Sequence, residues 1–317
     1  MALPRTLSPM LATTGPLPAQ DDRWSYEVKW DGVRALVEVR DGRVSLRSRN
    51  GNDITGAYPE LAGLGAALGP TTALLDGEVV AFDDNGRTDF GRLQARMHVR
   101  SPSPSLVRGT PVTLLLFDLL EVDDRPLLDL PYDERRAVLE ALPLSGERWQ
   151  VPPAFPGDGE ALLQATLTQG MEGVVAKRRD SRYEPGRRSD CWVKVKHVRR
   201  TSAVVVGWKP GEGGRAGRIG SLLLAVPEGG GWAFAGHVGT GFSQPTLRML
   251  GERLAPLRRD DPVLFDVPRE HARDAVWVEP ELVCEIDYTE WTRDGRLRHP
   301  SYKGLRDDVD PRSVVKQ

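Results

Sequence analysis

The residues best suited to covalent chemistry centre on Lys29, in the stretch EVKWDGVR. Lys29 closes a predicted strand, and the Asp31-Gly32 turn that follows exposes it. A lysine attacks an electrophile only after losing its proton, so burial or neighbouring cations must lower its pKa. Lys194 and Lys196 are the cations available; at i and i+2 of a strand they share one face. Carboxylates able to hold a metal stand at Glu78, which ends ALLDGE, and at Glu172, just before the strand Gly173–Lys177. A cation held by two carboxylates and phosphate oxygens suits Mg2+ or Mn2+. Such a site polarises an α-phosphate for in-line attack, so the chemistry indicated is phosphoryl transfer onto an amine. Each piece alone is weak. Lys-x-Asp-Gly arises by chance in roughly one chain of this size in ten or twenty. A surface lysine, a common Asp-Gly turn, a glutamate opening a strand and a solvated Lys-x-Lys strand account for the pieces one at a time.

The elements that must position these residues form a mixed α+β pattern. Tyr26 to Lys29 and Val33 to Arg40 read as strands, and Asp41-Gly42 turns the second into Val44–Leu46. The apolar runs Ala73–Phe82 and Val112–Leu120 read as buried strands. Tyr132–Leu142 has helical periodicity and stops before Pro143, and Gly159–Thr168 is a second predicted helix. Gly173–Lys177 and Cys191–Lys196 return to strand. After about His197–Thr201 the texture changes: Ala203–Trp208, Ile219–Val226, Trp232–Val238 and Leu282–Tyr288 are short strands between Gly-rich turns, interrupted by one helical segment, Gln244–Leu254. That pattern predicts a small barrel of the OB type. The expected division is therefore 1–200 and 201–317. The stretch GEGGRAGRIG (211–220) lacks the Gly-Lys-Ser/Thr ending of a phosphate loop and reads as a hairpin loop.

The 317 residues are 39% hydrophobic and 28% charged, enough to bury a core in each half. No apolar run approaches the roughly 18–20 residues that span a bilayer, and no signal peptide is legible at the N-terminus. A cytoplasmic, membrane-free protein is the expectation. Two cysteines, Cys191 and Cys284, are too few for a disulfide framework or a cysteine-based zinc site. The net charge of -2 conceals polarity along the chain. Residues 171–200 hold ten Lys or Arg against four acids, a net of +6, while residues 251–290 hold eleven acids against five Arg, a net of −6. A basic stretch can track a phosphate backbone, although on charge alone a solvated face is the better explanation.

The order of the motifs is more specific than any one of them. KWDGVR (29–34), SRNG (48–51), DGE (76–78), FDLL (117–120), EGVVAKR (172–178) and WVKVK (192–196) follow one another. In that order they resemble the nucleotide-site motifs of the covalent nucleotidyltransferase superfamily: ATP-dependent DNA ligases, RNA ligases and mRNA capping enzymes. PMLAT (9–13), GTGF (239–242) and RHPSYKGLR (298–306) resemble the bacterial ligases of the non-homologous end-joining type, the LigD ligase module and its stand-alone relatives. The resemblance covers nearly the whole chain. It implies an adenylating nucleotidyltransferase domain of mixed sheets and helices, followed by a C-terminal OB-fold β-barrel. It also implies roles. Lys29 would carry AMP, Glu27 would contact the adenine amino group and Phe117 would stack on the ring. Arg34, Arg49 and Glu78 would hold ribose or orient the substrate phosphate. Glu172, with Glu78, would bind Mg2+ or Mn2+; Lys194 and Lys196 would neutralise the α-phosphate; Arg306 would act from the last motif. Asp31 would brace the turn. Taken alone, Phe117 is a core phenylalanine and Arg49 an ordinary hairpin arginine.

The implied activity is ATP-dependent sealing of nicked or broken double-stranded DNA through lysyl-AMP and DNA-adenylate. A hinge near His197–Thr201 would let the second domain change faces between steps. One departure stands out: where the family's last motif continues from Arg-x-Asp to lysine, Asp308 is followed here by Val309. Slow self-adenylation is the expected consequence. With 28 residues ahead of Lys29, the expectation is a monomer that grips nicks weakly alone and acts on the nucleoid. The resemblance implies Ku and a separate end-joining polymerase as its partners. The alternatives are an RNA ligase or capping-type nucleotidyltransferase, or a non-catalytic nucleic-acid-binding module.

Overall fold

In a computed structural model the chain is described at residues 7–211, 219–264, 267–292 and 294–316; residues 212–218 of the predicted hairpin loop at 211–220 fall outside them. The chain divides into two compact units, the first ending at Lys196 and the second beginning at His197. No helix among the described residues is long and apolar enough to cross a membrane.

The first unit holds two sheets. One has the strand order β1 (Leu11–Thr14), β11 (Arg188–Lys196), β10 (Gly173–Arg178), β2 (Trp24–Val28), β9 (Phe155–Pro156), with β1 parallel to β11 and the other neighbours antiparallel. The other runs β4 (Arg43–Ser48), β3 (Val33–Arg40), β5 (Ala73–Val80), β6 (Thr113–Val122), β7 (Arg125–Pro126), and β8 (Trp149–Gln150) pairs in parallel with β6. The predicted Asp41-Gly42 turn joins β3 to β4 with both residues at positive φ, 51° and 71°, as a two-residue hairpin demands. Helices α1 (Gly63–Leu68), α2 (Phe90–Gln94), α3 (Pro104–Gly109), α4 (Tyr132–Ala141) and α5 (Gly159–Thr168) complete the unit. Alternation along the strands sorts the core. Ala35, Val37 and Val39 of β3 face one buried cluster with Leu75 and Leu116. Leu36, on the opposite face, joins Phe117 and Leu120 of the same sheet to Met10, Tyr183 and Trp192. This second cluster ties the two sheets together.

Two features of β6 bear on the site. Its register against β5 shifts around Phe117, with Asp118 opposite Asp76 and Leu116 opposite Gly77. The resulting bulge frees Phe117 from the regular alternation and re-aims its ring. Asp118 is fully buried and receives both arms of the fully buried Arg135 guanidinium, at 2.8 and 2.9 Å, which clamps α4 onto β6.

The second unit is built on β12 (Arg199–Pro210). It pairs with β13 (Ile219–Glu228) on one side and with β16 (Val276–Val278) and β17 (Val283–Tyr288) on the other. β14 (Gly231–Val238) extends from β13, β15 (Arg258–Arg259) from β16 and β18 (Ser301–Leu305) from β17. Helix α6 (Gln244–Leu254) lies on the core through Leu247, Leu250 and Leu254; its start is capped by the Ser243 hydroxyl, which accepts from Thr246 N–H at 3.2 Å. A further short helix, α7, spans Arg269–Ala272. The α+β class holds, but the expected barrel does not close. Isolated bonds alone (Leu297 N–H to Ala235 O, 2.9 Å, and Tyr302 N–H to Thr240 O, 3.0 Å) link the β18 side to β14, and no ladder forms among the described residues. The turn past β14, where Gly241 sits at φ 88° against the Tyr302 backbone, carries the chain off before a ladder can start.

Candidate active site

The end of β2 delivers Lys29, whose backbone N–H donates to Gly173 O at 2.9 Å, across the sheet at the start of β10. The turn after it needs its glycine: a Cβ on Gly32 would collide with the carbonyl oxygen of Val79 and press on Glu78 and Val80. Close approach of two backbones, rather than an unusual φ, therefore fixes the last residue of KWDG.

Glu27, Lys29, Arg34, Arg49, Glu78, Phe117 and Lys194 line one cleft. Glu172 and Lys196 adjoin it through ion pairs. Lys29 donates to one Glu172 oxygen and Lys196 reaches the other at 2.6 Å. The same-face expectation for Lys194 and Lys196 is realised by their pairing opposite Val175 and Gly173 of β10. Arg306 belongs to the second unit, where its guanidinium is bonded to Asp308 at 2.8 and 2.9 Å and to Glu285 at 3.3 Å.

The charges around the cleft are strongly coupled. Burial pushes the Glu78 carboxyl up to about 8, against the pull of Arg34 and Lys29. Burial also works against the Glu172 charge, but Lys29 and Lys196 outweigh it and hold that carboxyl below the ordinary range. Lys194 is pushed below the usual lysine value by partial burial, then by the cations Lys196, Arg188 and Lys29. It makes no ion pair among the described residues. Arg34 forks onto Asp76 with two bonds of 2.6 Å, donates to Met10 O and lies 4.9 Å from the centre of the Phe117 ring. Asp76, the aspartate of DGE, accepts the Tyr183 hydroxyl as well, at 2.6 Å.

Three further residues line the cleft: Lys177 and Trp192, inside EGVVAKR and WVKVK, and Arg188, whose one sequence signal is its charge. Lys177 is buried, which lowers its pKa despite Glu27; its ammonium donates to Glu27 Oε1 at 2.8 Å and to Phe117 O at 3.0 Å. It lies 4.6 Å from the Phe117 ring centre and 4.4 Å from that of Trp192. Tyr132 and Arg136 of α4, which carry no motif, reach Glu27 from behind. The arrangement offers an amine nucleophile, an anion cradle, an aromatic platform and a carboxylate acceptor beside it.

Residues 9–196 match the family model described as the ATP dependent DNA ligase domain, and residues 215–309 match that for the ATP dependent DNA ligase C terminal region. The chain is 46% identical over 315 residues to the multifunctional non-homologous end joining DNA repair protein LigD of Mycobacterium tuberculosis, covering 98% of this chain and 40% of that protein. It is 37% identical over 321 residues to the LigD protein of Pseudomonas aeruginosa, covering 99% and 37%. The chain thus spans about two fifths of the length of these relatives. Among solved structures it is similar to a mycobacterial DNA ligase D complexed with ATP and MES, at 42% identity and a TM-score of 0.58 with 99% of both chains covered.

Proposed function

The chain belongs to the ATP-dependent DNA ligase family, and on that premise we propose that Lys29 is its nucleophile. Lys29 Nζ attacks the α-phosphorus of ATP. The N–P bond forms, the bond to the bridging oxygen of the β-phosphate breaks, pyrophosphate leaves and the amine gives up a proton. AMP passes from Lys29 to the 5′-phosphate at a nick, and the neighbouring 3′-hydroxyl then displaces AMP as the phosphodiester forms. What carries this reading is the company Lys29 keeps: Glu27, Phe117 and Lys194 share its cleft, and Glu172 accepts its ammonium. In this reading Phe117 stacks on adenine, and Glu27 accepts from the adenine amino group. Lys194 and Lys196 neutralise the α-phosphate. Arg49 and Glu78 face ribose or the substrate phosphate. Arg34, held by Asp76, shares that role, and Arg306 serves from the second unit.

The donor set fits a hard divalent cation, Mg2+ or Mn2+. Among the described residues there is no cluster of three or more potential ligands, which suits an ion that keeps its waters and takes phosphate oxygens. Glu172 is the stronger ligand, because its carboxyl stays ionised; Glu78 joins only by losing the proton that burial favours. Bound there, the cation would polarise the α-phosphate and draw Glu172 away from the Lys29 ammonium.

The names of the relatives support a role in end joining; in our reading the substrate is nicked or broken double-stranded DNA, and Ku and an end-joining polymerase are the partners. A monomer acting on the cytoplasmic nucleoid fits that role. Having both ligase regions favours DNA sealing over RNA-ligase, capping or non-catalytic readings. The test is transfer of label from ATP labelled at the α-phosphate, with Lys29→Ala as control. Label on the wild type alone is expected. An unlabelled wild type, still unlabelled after pyrophosphate treatment and carrying no AMP by mass, would overturn the reading.

A further inference from the structure

Helix α4 takes no part in the covalent chemistry, yet it holds Glu27 from the side away from the cleft. Its buried face is Tyr132, Arg135, Arg136 and Leu139, a stripe with the i, i+3, i+4, i+7 spacing of two helical turns. Arg135 fixes the helix to Asp118, one residue past Phe117. The Asp133 N–H adds a bond to Arg179 O, just past the end of β10, at 3.1 Å. Thus anchored, the helix points two donors at one atom. The Tyr132 hydroxyl donates to Glu27 Oε1 at 2.5 Å, and Arg136 Nη1 stands 3.6 Å from it. That nitrogen is buried and has no hydrogen-bond partner among the described residues. From the cleft side Lys177 donates to the same oxygen at 2.8 Å.

We propose that Tyr132 and Arg136 are positioning residues for base selection: they fix Glu27 as an acceptor that takes a 6-amino purine and refuses a 6-oxo purine. The inference rests on the reading above, in which Glu27 meets the base. Glu27 is 4% exposed, so its carboxylate depends on protein donors for stability. Tyr132 and Lys177 donate to Oε1 from the two sides and Arg136 adds its charge at 3.6 Å, an environment that suits a carboxylate, which accepts and cannot donate. An exocyclic amine complements it, whereas a carbonyl at the same place sets acceptor against acceptor. Burial, and then the Glu27 charge, keep the Tyr132 phenol protonated, so it remains a donor at any working pH.

ATP and inosine triphosphate differ at C6, amino against oxo, and in the N1 proton that goes with the oxo form, and they make the test. The protein is first freed of AMP with pyrophosphate. Rates of lysine nucleotidylation are then measured with each triphosphate for the wild type, Tyr132→Phe, Arg136→Met and Glu27→Gln. Tyr132→Phe keeps the ring and removes only the donor. It is expected to cut the ATP-to-inosine ratio of kcat/KM by about tenfold or more through a higher KM for ATP, with kcat within about threefold, as loss of one charge-assisted bond implies. Arg136→Met is expected to act in the same direction and Arg136→Lys to restore the ratio. A helix that merely supported the fold would lower both rates together and leave the ratio alone. A ratio within twofold of wild type in both Tyr132→Phe and Arg136→Met overturns the inference. Should those two keep the ratio while Glu27→Gln loses it, the inference alone falls. Should Glu27→Gln keep it, the base-reading role of Glu27 falls and takes the inference with it.

Discussion

Replacing Arg135 with methionine tests how the site is assembled. Arg135 and Asp118 are both fully buried, and the guanidinium satisfies both carboxylate oxygens at 2.8 and 2.9 Å. It also donates to Leu130 O at 2.7 Å and Ser181 O at 3.0 Å. Breaking such a pair strands a buried charge, which costs about 3–5 kcal/mol. For a unit of this size about 2–4 °C accompanies each kcal/mol, so a fall of about 6–20 °C is expected in its unfolding transition. The double variant Asp118→Leu/Arg135→Met removes both charges and should recover part of the loss. Full recovery is not expected, because two carbonyls lose a donor at about 1–3 kcal/mol each if they stay buried. Because the chain has two units, one melting temperature would blend them. Urea unfolding followed by amide exchange, peptide by peptide over residues 132–141, reads the right one. A cost below about 1 kcal/mol for Arg135→Met, or a double variant no more stable than the single, would refute the reasoning.

Three further outcomes follow from the same geometry. Glu78 binds its proton more tightly in the folded chain, at about 8, than its ordinary 4.5. Its stabilising effect is therefore complete below pH 4.5 and lost as pH rises through 8, at up to about 1.4 kcal/mol per pH unit. Thermal melts of nucleotide-free, metal-free protein should show this slope, and Glu78→Gln should flatten it. Gly32→Ala would force β3 and β5 apart where Val79 O meets the new methyl. It should cost about 1–3 kcal/mol of stability and, in the gel assay, reduce Lys29 labelling well beyond what that loss explains. The Cys284 thiol is buried and pushed up to about 12. At pH 8 about one in ten thousand is thiolate, so a thiol reagent should modify half-buried Cys191 first and reach Cys284 only in denaturant, as peptide mass mapping would show.

Long periodic elements were legible because their signals are local. Val33–Arg40, Gly159–Thr168 and Gln244–Leu254 have the bounds their patterns indicate. Elements defined by distant partners were not. β1 is four residues long and exists through its pairing with β11 more than 170 positions away. Within PMLAT nothing marks a strand. Barrel closure is likewise a property of two strands meeting, and strand spacing cannot tell a closed sheet from an open one. At the site, residues that must perform chemistry carried a motif, while those that hold them, such as Tyr132 and Arg136, are ordinary helix residues until Glu27 is seen beside them.

Charge shows the same limit most clearly. The net of +6 over 171–200 suggested a broad basic track, but most of its cations are already engaged. Lys177 belongs to Glu27, Arg178 to Asp180, Arg179 to Asp133, Lys196 to Glu172 and Arg200 to Asp287. Arg182 and Arg187 sit 3.6 Å from Asp129 and Glu184 in exposed pairs that contribute little stability. Among the described residues Arg188, Lys194 and Arg199 make no ion pair, and the first two line the cleft. The positive potential is therefore focused where a triphosphate would lie rather than spread along a surface. Half-buried Lys194, with exposed Arg188 at the rim, acts on an anion in the cleft more strongly than solvated cations spread over an open face. That is why a chain of net charge -2 can hold a highly charged nucleotide.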